Sequence, residues 1–425
     1  MLQRLRERIR NSVLAKNAAW LFAGQGLSVV TQTVYFIVLA RLLGASQYGL
    51  LSGAVALVAT VSQYSTLGSG LLFLRYVSQD RKNFSLYWGN ILLSVSSMST
   101  LLVVGLWLLG DRLLGPGTLL VLLPIGISDC MFQQFNSCTG QVFQTFEKMK
   151  ISATLILLSN VLRLIMAAIF LVTLKNALAW QWALASLSVS GIGAIIAFVT
   201  VTRYFGRPSF SIPLLFQRAG EGFVFAISGS TTAVYNDVDK VVLTHDGMIR
   251  ANGLYSMAYR VVNIGTMPIM SIVAAAFPRF FREGAKGIIG TVPMAKVLLK
   301  RTVFLALAIS AGMFLLAPII PHLVGKSYLE SVSALRWLCL IPFFRCFHLS
   351  AGDAIAGAGY QKYRLLSQSI AALGNLGLNI ILIPKLGWLG AAWTSLGTDA
   401  LLGVMNWVAL FHLAARAKQR LALAL

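Results

Sequence analysis

Ten ionisable side chains lie inside stretches otherwise apolar enough to cross a bilayer: Asp129, Arg163, Asp237, Asp239, Lys240, Arg260, Arg336, Arg345, Asp353 and Asp399. On insertion scales a charge at the centre of such a helix costs roughly 2.5 to 3.5 kcal/mol, so these groups should face protein or a water-filled cavity. Buried cations there can give charge-assisted hydrogen bonds to phosphate. Buried carboxylates can couple transport to protons or sodium, or gate it. Arg163 and Arg345 sit near the middle of their spans, too deep to snorkel easily, and Arg260 lies about two turns below the outer surface. With Lys240 they are the candidate cationic, substrate-binding wall. Asp129, Asp237 and Asp239 are the candidate coupling or gating acids.

A plainer reading competes with this one. Five of the ten groups are basic and five acidic, so the set sums to zero and can pair internally between helices. Asp237 and Lys240 are three residues apart and meet on one helix face. Asp239 points roughly away from Asp237 and needs a separate partner. The Asp237–Lys240 pair, near the outer end of its span, fits a gate or latch. Asp353 and Asp399 read as structural contacts, and Arg336 as a side chain reaching the outer surface.

These groups need helices to position them. The chain has 425 residues, 57% hydrophobic and only 11% charged, with a mean hydropathy of +0.77. A soluble domain is about a quarter charged. The long apolar runs do not alternate, which predicts an all-α polytopic membrane protein and excludes a barrel. No cleavable signal peptide is expected. Twelve spans are predicted, each near the roughly 20 residues a bilayer needs: 17–40, 47–72, 86–110, 116–143, 153–174, 178–201, 220–244, 252–278, 297–320, 330–357, 365–383 and 389–413. Of the 35 Lys and Arg, 24 fall on the side of the termini and 6 on the other, which puts both termini in the cytoplasm. The net charge of +22 is therefore an orientation signal and an attraction to anionic lipid, and no nucleic-acid partner is expected. Leu2, Leu5, Ile9 and Val13 oppose the N-terminal arginines as an interfacial amphipathic helix.

Other chemistry is missing from the sequence. Cys130, Cys138, Cys339 and Cys346 lie in spans without a CxxC pair. His348 is a lone intramembrane histidine, and His245, His322 and His412 lie at span ends. With no P-loop, no metal-spaced histidines and no nucleophile elbow, neither an enzyme nor a cofactor or metal site is expected.

The chain repeats. Arg41-Leu-Leu-Gly-Ala-Ser-Gln-Tyr-Gly-Leu50 and Leu243-Thr-His-Asp-Gly-Met-Ile-Arg-Ala-Asn-Gly-Leu-Tyr-Ser256 both set a short glycine-bearing turn before a long helix. Gln144-Thr-Phe-Glu-Lys-Met-Lys150 and Gly359-Tyr-Gln-Lys-Tyr-Arg364 both precede an asparagine-bearing helix. This predicts two six-helix lobes, 1–201 and 220–425, joined by a cytoplasmic linker, 202–219. A pseudo-two-fold axis along the membrane normal would relate them.

Four stretches carry a family resemblance over nearly the whole chain. They are Leu39-Ala-Arg-Leu-Leu-Gly-Ala-Ser-Gln-Tyr-Gly49, Thr66-Leu-Gly-Ser-Gly-Leu-Leu-Phe-Leu-Arg75, Tyr235-Asn-Asp-Val-Asp-Lys240 with Gly253-Leu-Tyr-Ser-Met-Ala-Tyr259, and Pro384-Lys-Leu-Gly-Trp-Leu-Gly-Ala-Ala-Trp393. In this order on twelve spans, the chain resembles the bacterial polysaccharide and O-antigen flippases of the Wzx type. These share a superfamily with MATE exporters and the lipid II flippase. The resemblance implies a MATE-like V of two lobes and movement of undecaprenyl-diphosphate-linked oligosaccharide across the inner membrane by alternating access. It also implies polysaccharide polymerase and glycosyltransferases as partners. Arg163, Arg260, Arg345 and Lys240 can then serve the diphosphate, and Trp88, Tyr235, Tyr259 and Trp337 either stack on sugars or, as the plainer reading has it, pack in the core or form an interface belt. Three alternatives remain: an ion-coupled small-molecule exporter, a lipid II flippase, and a non-transporting scaffold. The first is disfavoured by the lack of an acid in span 1, the second by the short tail after Arg416-Ala-Lys-Gln-Arg420.

Overall fold

The computed structural model describes residues 2–174 and 176–423, which are helical throughout apart from turns and short connections, with no strand among them. In chain order the helices are α1 (Leu2–Ser62), α2 (Ser69–Gln79), α3 (Phe84–Leu114), α4 (Leu119–Gly126), α5 (Gln134–Thr145), α6 (Met149–Thr173) and α7 (Ala179–Phe205). They continue with α8 (Ile212–His245), α9 (Ile249–Gly284), α10 (Ile288–Leu316), α11 (Ile320–Val324), α12 (Ser331–Leu338), α13 (Ile341–Gly357), α14 (Gln361–Leu386) and α15 (Trp388–Leu423). Among the described residues, ten segments are long and apolar enough to cross a membrane. The helix α8, which carries Arg218, Glu221, Asp237, Asp239 and Lys240, is not one of them. The side chains of residues 1–19, and with them the amphipathic N-terminal face, lie outside the described residues, as does Lys175.

Three irregularities shape the first half. Gly44, at φ 64° and ψ 172°, interrupts α1, so the expected spans 17–40 and 47–72 meet at a glycine that tolerates a conformation costly to other residues. The span expected at 47–72 is itself broken: α1 ends at Ser62, and Leu67 (φ 42°) and Gly68 (φ 64°) turn the chain before α2 begins. Between α4 and α5, Ile127–Gln133 forms a π-helical segment that carries Asp129. Ser99 Oγ, 2.6 Å from the Cys130 carbonyl, satisfies an acceptor in that segment. Such wide turns gather at functional sites.

The chain forms two compact units, Met1–Ser230 and Thr231–Leu425. The division falls inside α8, later than the linker expected at 202–219. The connection explains why. Ser209 N–H donates to Ser85 O at 2.9 Å, Ser85 Oγ donates to Arg207 O at 2.8 Å, and Glu221 accepts from Arg218 at 2.8 Å and from Tyr76 at 3.2 Å. The linker and the start of α8 are thus tied to the first unit.

Each unit has its own core. In the first, Phe73, Trp88, Ile91, Phe143 and Val201 are fully buried, and the Trp88 ring lies 5.4 Å from Phe135. In the second, Ile269, Phe280, Ile355 and Leu410 are fully buried. Lipid tails are as apolar as these side chains, so close packing supplies much of the attraction. Small residues permit it: a Cβ on Gly357 would come within 2.7 Å of Phe280.

Candidate functional site

The second unit gathers two cations onto shared partners. On α8, Lys240 Nζ lies 2.7 Å from Asp237 Oδ1, 3.4 Å from Asp239 Oδ1 and 2.9 Å from the Asn236 carbonyl. Three donors meet three acceptors, so the ammonium is saturated. It also lies 4.3 Å from the Tyr259 ring centroid on α9. Arg345, on α13, donates to Asn263 Oδ1 at 3.1 Å, Asn236 Oδ1 at 3.2 Å and the Tyr259 hydroxyl at 3.0 Å. Asn236 and Tyr259 therefore touch both cations. Asp399 on α15 comes within 3.9 Å of Arg345 Nε and 3.6 Å of His348 Nε2.

Asp239 finds the partners that the sequence left unnamed. Its Oδ2 accepts from the Tyr255 hydroxyl and from Ser395 Oγ at 3.1 Å, so it ties α8 to α9 and α15. Its side chain is only 2% exposed, against 32% for Asp237. The Asp237–Lys240 pair expected as an outer latch is thus one edge of a network internal to the second unit.

The first unit holds its cation more loosely. Arg163 on α6 donates to Ser190 Oγ on α7 at 3.0 Å. Ser190 lies 2.9 Å from Ser128 Oγ, which lies 3.0 Å from Asp129 Oδ1. Each hydroxyl carries one proton, so with Arg163 donating at one end, one consistent order runs from Ser190 to Ser128 to the carboxylate. The direct Arg163–Asp129 separation is 3.8 Å, beyond a hydrogen bond, and the side chains are 20% and 27% exposed.

Residues 14–283 match the family described as polysaccharide biosynthesis protein. The chain belongs to that family. No curated protein matches it. Among solved structures, this polysaccharide biosynthesis protein is similar to an inward-facing multidrug resistance MATE family transporter of the MOP superfamily, at 15% identity and a TM-score of 0.75 over 91% of this chain and 96% of that one. An outward-facing structure of a multidrug resistance MATE family transporter gives 16% identity and a TM-score of 0.63 over 95% and 96% of the two chains. A MOP superfamily transporter from Pyrococcus furiosus gives 13% and 0.63 over 94% and 96%. At these identities the likeness establishes the fold: an all-α, MATE-like, multi-pass membrane protein.

Within this polysaccharide biosynthesis protein every intramembrane acid named from the sequence has a cation within 4.0 Å. The fifth pair is Asp353 with Arg364 at 2.9 Å. Lys240 and Arg345 are held by partners within the second unit, whereas Arg163 has one serine partner and its carboxylate at 3.8 Å. Arg260 and Arg336 are exposed, Arg336 lying 5.1 Å from the Phe314 ring. Trp88 is core, Tyr259 is an acceptor for Arg345, and Trp337 is exposed, its ring 6.0 Å from that of Trp393. Sequence reasoning passed over Asn236, Asn263 and Asp399 as site residues. Asn236 stands four residues before Lys240, a spacing that could have revealed it. Asn263 gives no local signal, and Asp399, read from the sequence as a structural contact, meets Arg345 from a helix distant in sequence.

Proposed function

We propose that this protein is a flippase of the bacterial inner membrane that moves undecaprenyl-diphosphate-linked oligosaccharide from the cytoplasmic to the periplasmic leaflet by alternating access. On this reading the chain makes twelve passes with both termini in the cytoplasm, serves surface polysaccharide biosynthesis, and works beside glycosyltransferases and a polymerase. Family membership and the MATE-like fold support a transporter of this class. The observation that carries the substrate is Arg163: an intramembrane guanidinium, partly exposed, with one serine partner and its carboxylate at 3.8 Å. Most of its donors stay available for a diphosphate, whose bare charge is prohibitively costly in hydrocarbon.

The arrangement suggests a coupling step. Phosphate on Arg163 replaces Asp129 as counter-ion. A carboxylate left alone in a low-dielectric site needs a proton or a sodium ion, which links anion binding to cation uptake. Lys240, with Asp237 and Asp239 as counter-charges, and Arg345, with Asp399 nearby, hold the second unit together, and Arg260 adds positive charge on α9.

Deletion of the gene in its host, with analysis of surface polysaccharide and lipid-linked intermediates, tests the reading. Polysaccharide should be lost while lipid-linked glycan accumulates. Unchanged polysaccharide with altered drug sensitivity would favour a small-molecule exporter instead.

A further inference from the structure

The first unit contains a cavity of about 390 Å³ between α1, α5, α6 and α7, and among the described residues no charged side chain lines it. Amides lead its polar wall, Gln32, Gln133, Asn136, Gln141, Gln144 and Asn160, with four serine and threonine hydroxyls beside them. Gln133, Asn136 and Gln144, with Gly140 between the last two, recur at helical spacing along one face of the α5 segment. The opposite face, with Phe135, Cys138, Val142 and Phe143, is buried in the core. An amide stripe inside a membrane segment is expensive unless it meets partners. Asparagines and glutamines often do so by bonding neighbouring helices. Here neither amide atom of Asn136, nor Nδ2 of Asn160, has a hydrogen-bond partner, although all three atoms are buried. Gly193 flanks the same amide, where a Cβ would stand 3.4 Å from Asn136 Nδ2.

We infer that this cavity is a sugar subsite, an inference that rests on the flippase reading above. An uncharged wall gives a diphosphate no charge-assisted partner, and a polar wall gives a lipid tail nothing to gain. Clustered amides present donor and acceptor side by side, which suits the paired hydroxyls of a neutral sugar ring. The volume falls in the roughly 300–1,000 Å³ range of ligand pockets. A site built to hydrogen-bond hydroxyls discriminates strongly against a ligand that lacks them, because its polar groups are then left unpaired.

The test uses the full chain in phospholipid vesicles with two probes: a synthetic polyprenyl diphosphate carrying a neutral trisaccharide, and the same carrier without sugar. Transport is read by exposure to an added impermeant pyrophosphatase. The double variant Asn136→Leu/Asn160→Leu is compared with wild type, folding being checked by thermal unfolding. The ratio of sugar-bearing to sugar-free transport should fall about tenfold or more, the loss expected for one or two hydrogen bonds. A folded variant with an unchanged ratio overturns the subsite and leaves the flippase reading standing. A wild type that moves neither probe overturns both. Should the double variant not fold, Gln144→Leu, two turns along the same α5 face from Asn136, carries the same expectation and the same refutation.

Discussion

The two units hold their intramembrane cations in opposite ways. In the second, Lys240 is saturated by Asp237, Asp239 and the Asn236 carbonyl, and Arg345 makes three hydrogen bonds with Asp399 nearby. In the first, Arg163 makes one hydrogen bond to a serine and stands 3.8 Å from its carboxylate. Lys240, its three donors engaged, cannot take a phosphate without abandoning partners, the buried Asp239 among them, and Arg345 has three of its five donors engaged. An under-coordinated cation can take one. Intramembrane charge alone therefore does not mark a ligand site, and the number of unspent donors separates the two roles.

The comparison breaks most visibly at Lys240. Lys240→Ala leaves Asp239 charged, 2% exposed and short of its cation, and losing one partner of a buried pair costs about 3–5 kcal/mol. Thermal unfolding of the detergent-solubilised protein should show a large drop and poor membrane yield. A variant as stable as wild type would remove the structural role assigned to the second cluster. Ser190→Ala should be milder. It removes the hydroxyl between Arg163 and Ser128, a loss of about 1 kcal/mol in stability, and should slow transport several-fold by letting the guanidinium drift. If Ser190→Ala destabilises as much as Lys240→Ala, the contrast between units fails. The smallest effect belongs to Glu330→Gln. Its pair with Arg250 at 3.3 Å is well exposed on both sides, and the unfolding midpoint should hardly move.

Much of this was legible in the sequence, for stated reasons. Hydropathy revealed the membrane class, and the spacing of Asp237 and Lys240 revealed their contact, because both signals are local. The MATE-like fold matches the expectation raised by the four motif stretches. Asp399 beside Arg345, and Tyr255 and Ser395 on Asp239, join helices far apart in sequence, and no periodicity encodes such contacts. The π-helical segment around Asp129 depends on how neighbouring helices pack, Ser99 among them, so its sequence reads as an ordinary span. The break before α2 left a faint trace: in Ser65-Thr66-Leu67-Gly68-Ser69-Gly70 all but Leu67 are small, within a stretch otherwise long enough to cross without interruption.

The most direct test of the account is transport of the sugar-bearing polyprenyl diphosphate by Arg163→Ala in vesicles, at matched protein levels and with folding verified. Losing charge-assisted hydrogen bonds worth about 1.5–3 kcal/mol predicts a fall of roughly ten- to a hundredfold, with Arg163→Lys recovering part of it. Transport by Arg163→Ala at the wild-type rate would contradict the assignment of the first unit's loosely held cation to the diphosphate.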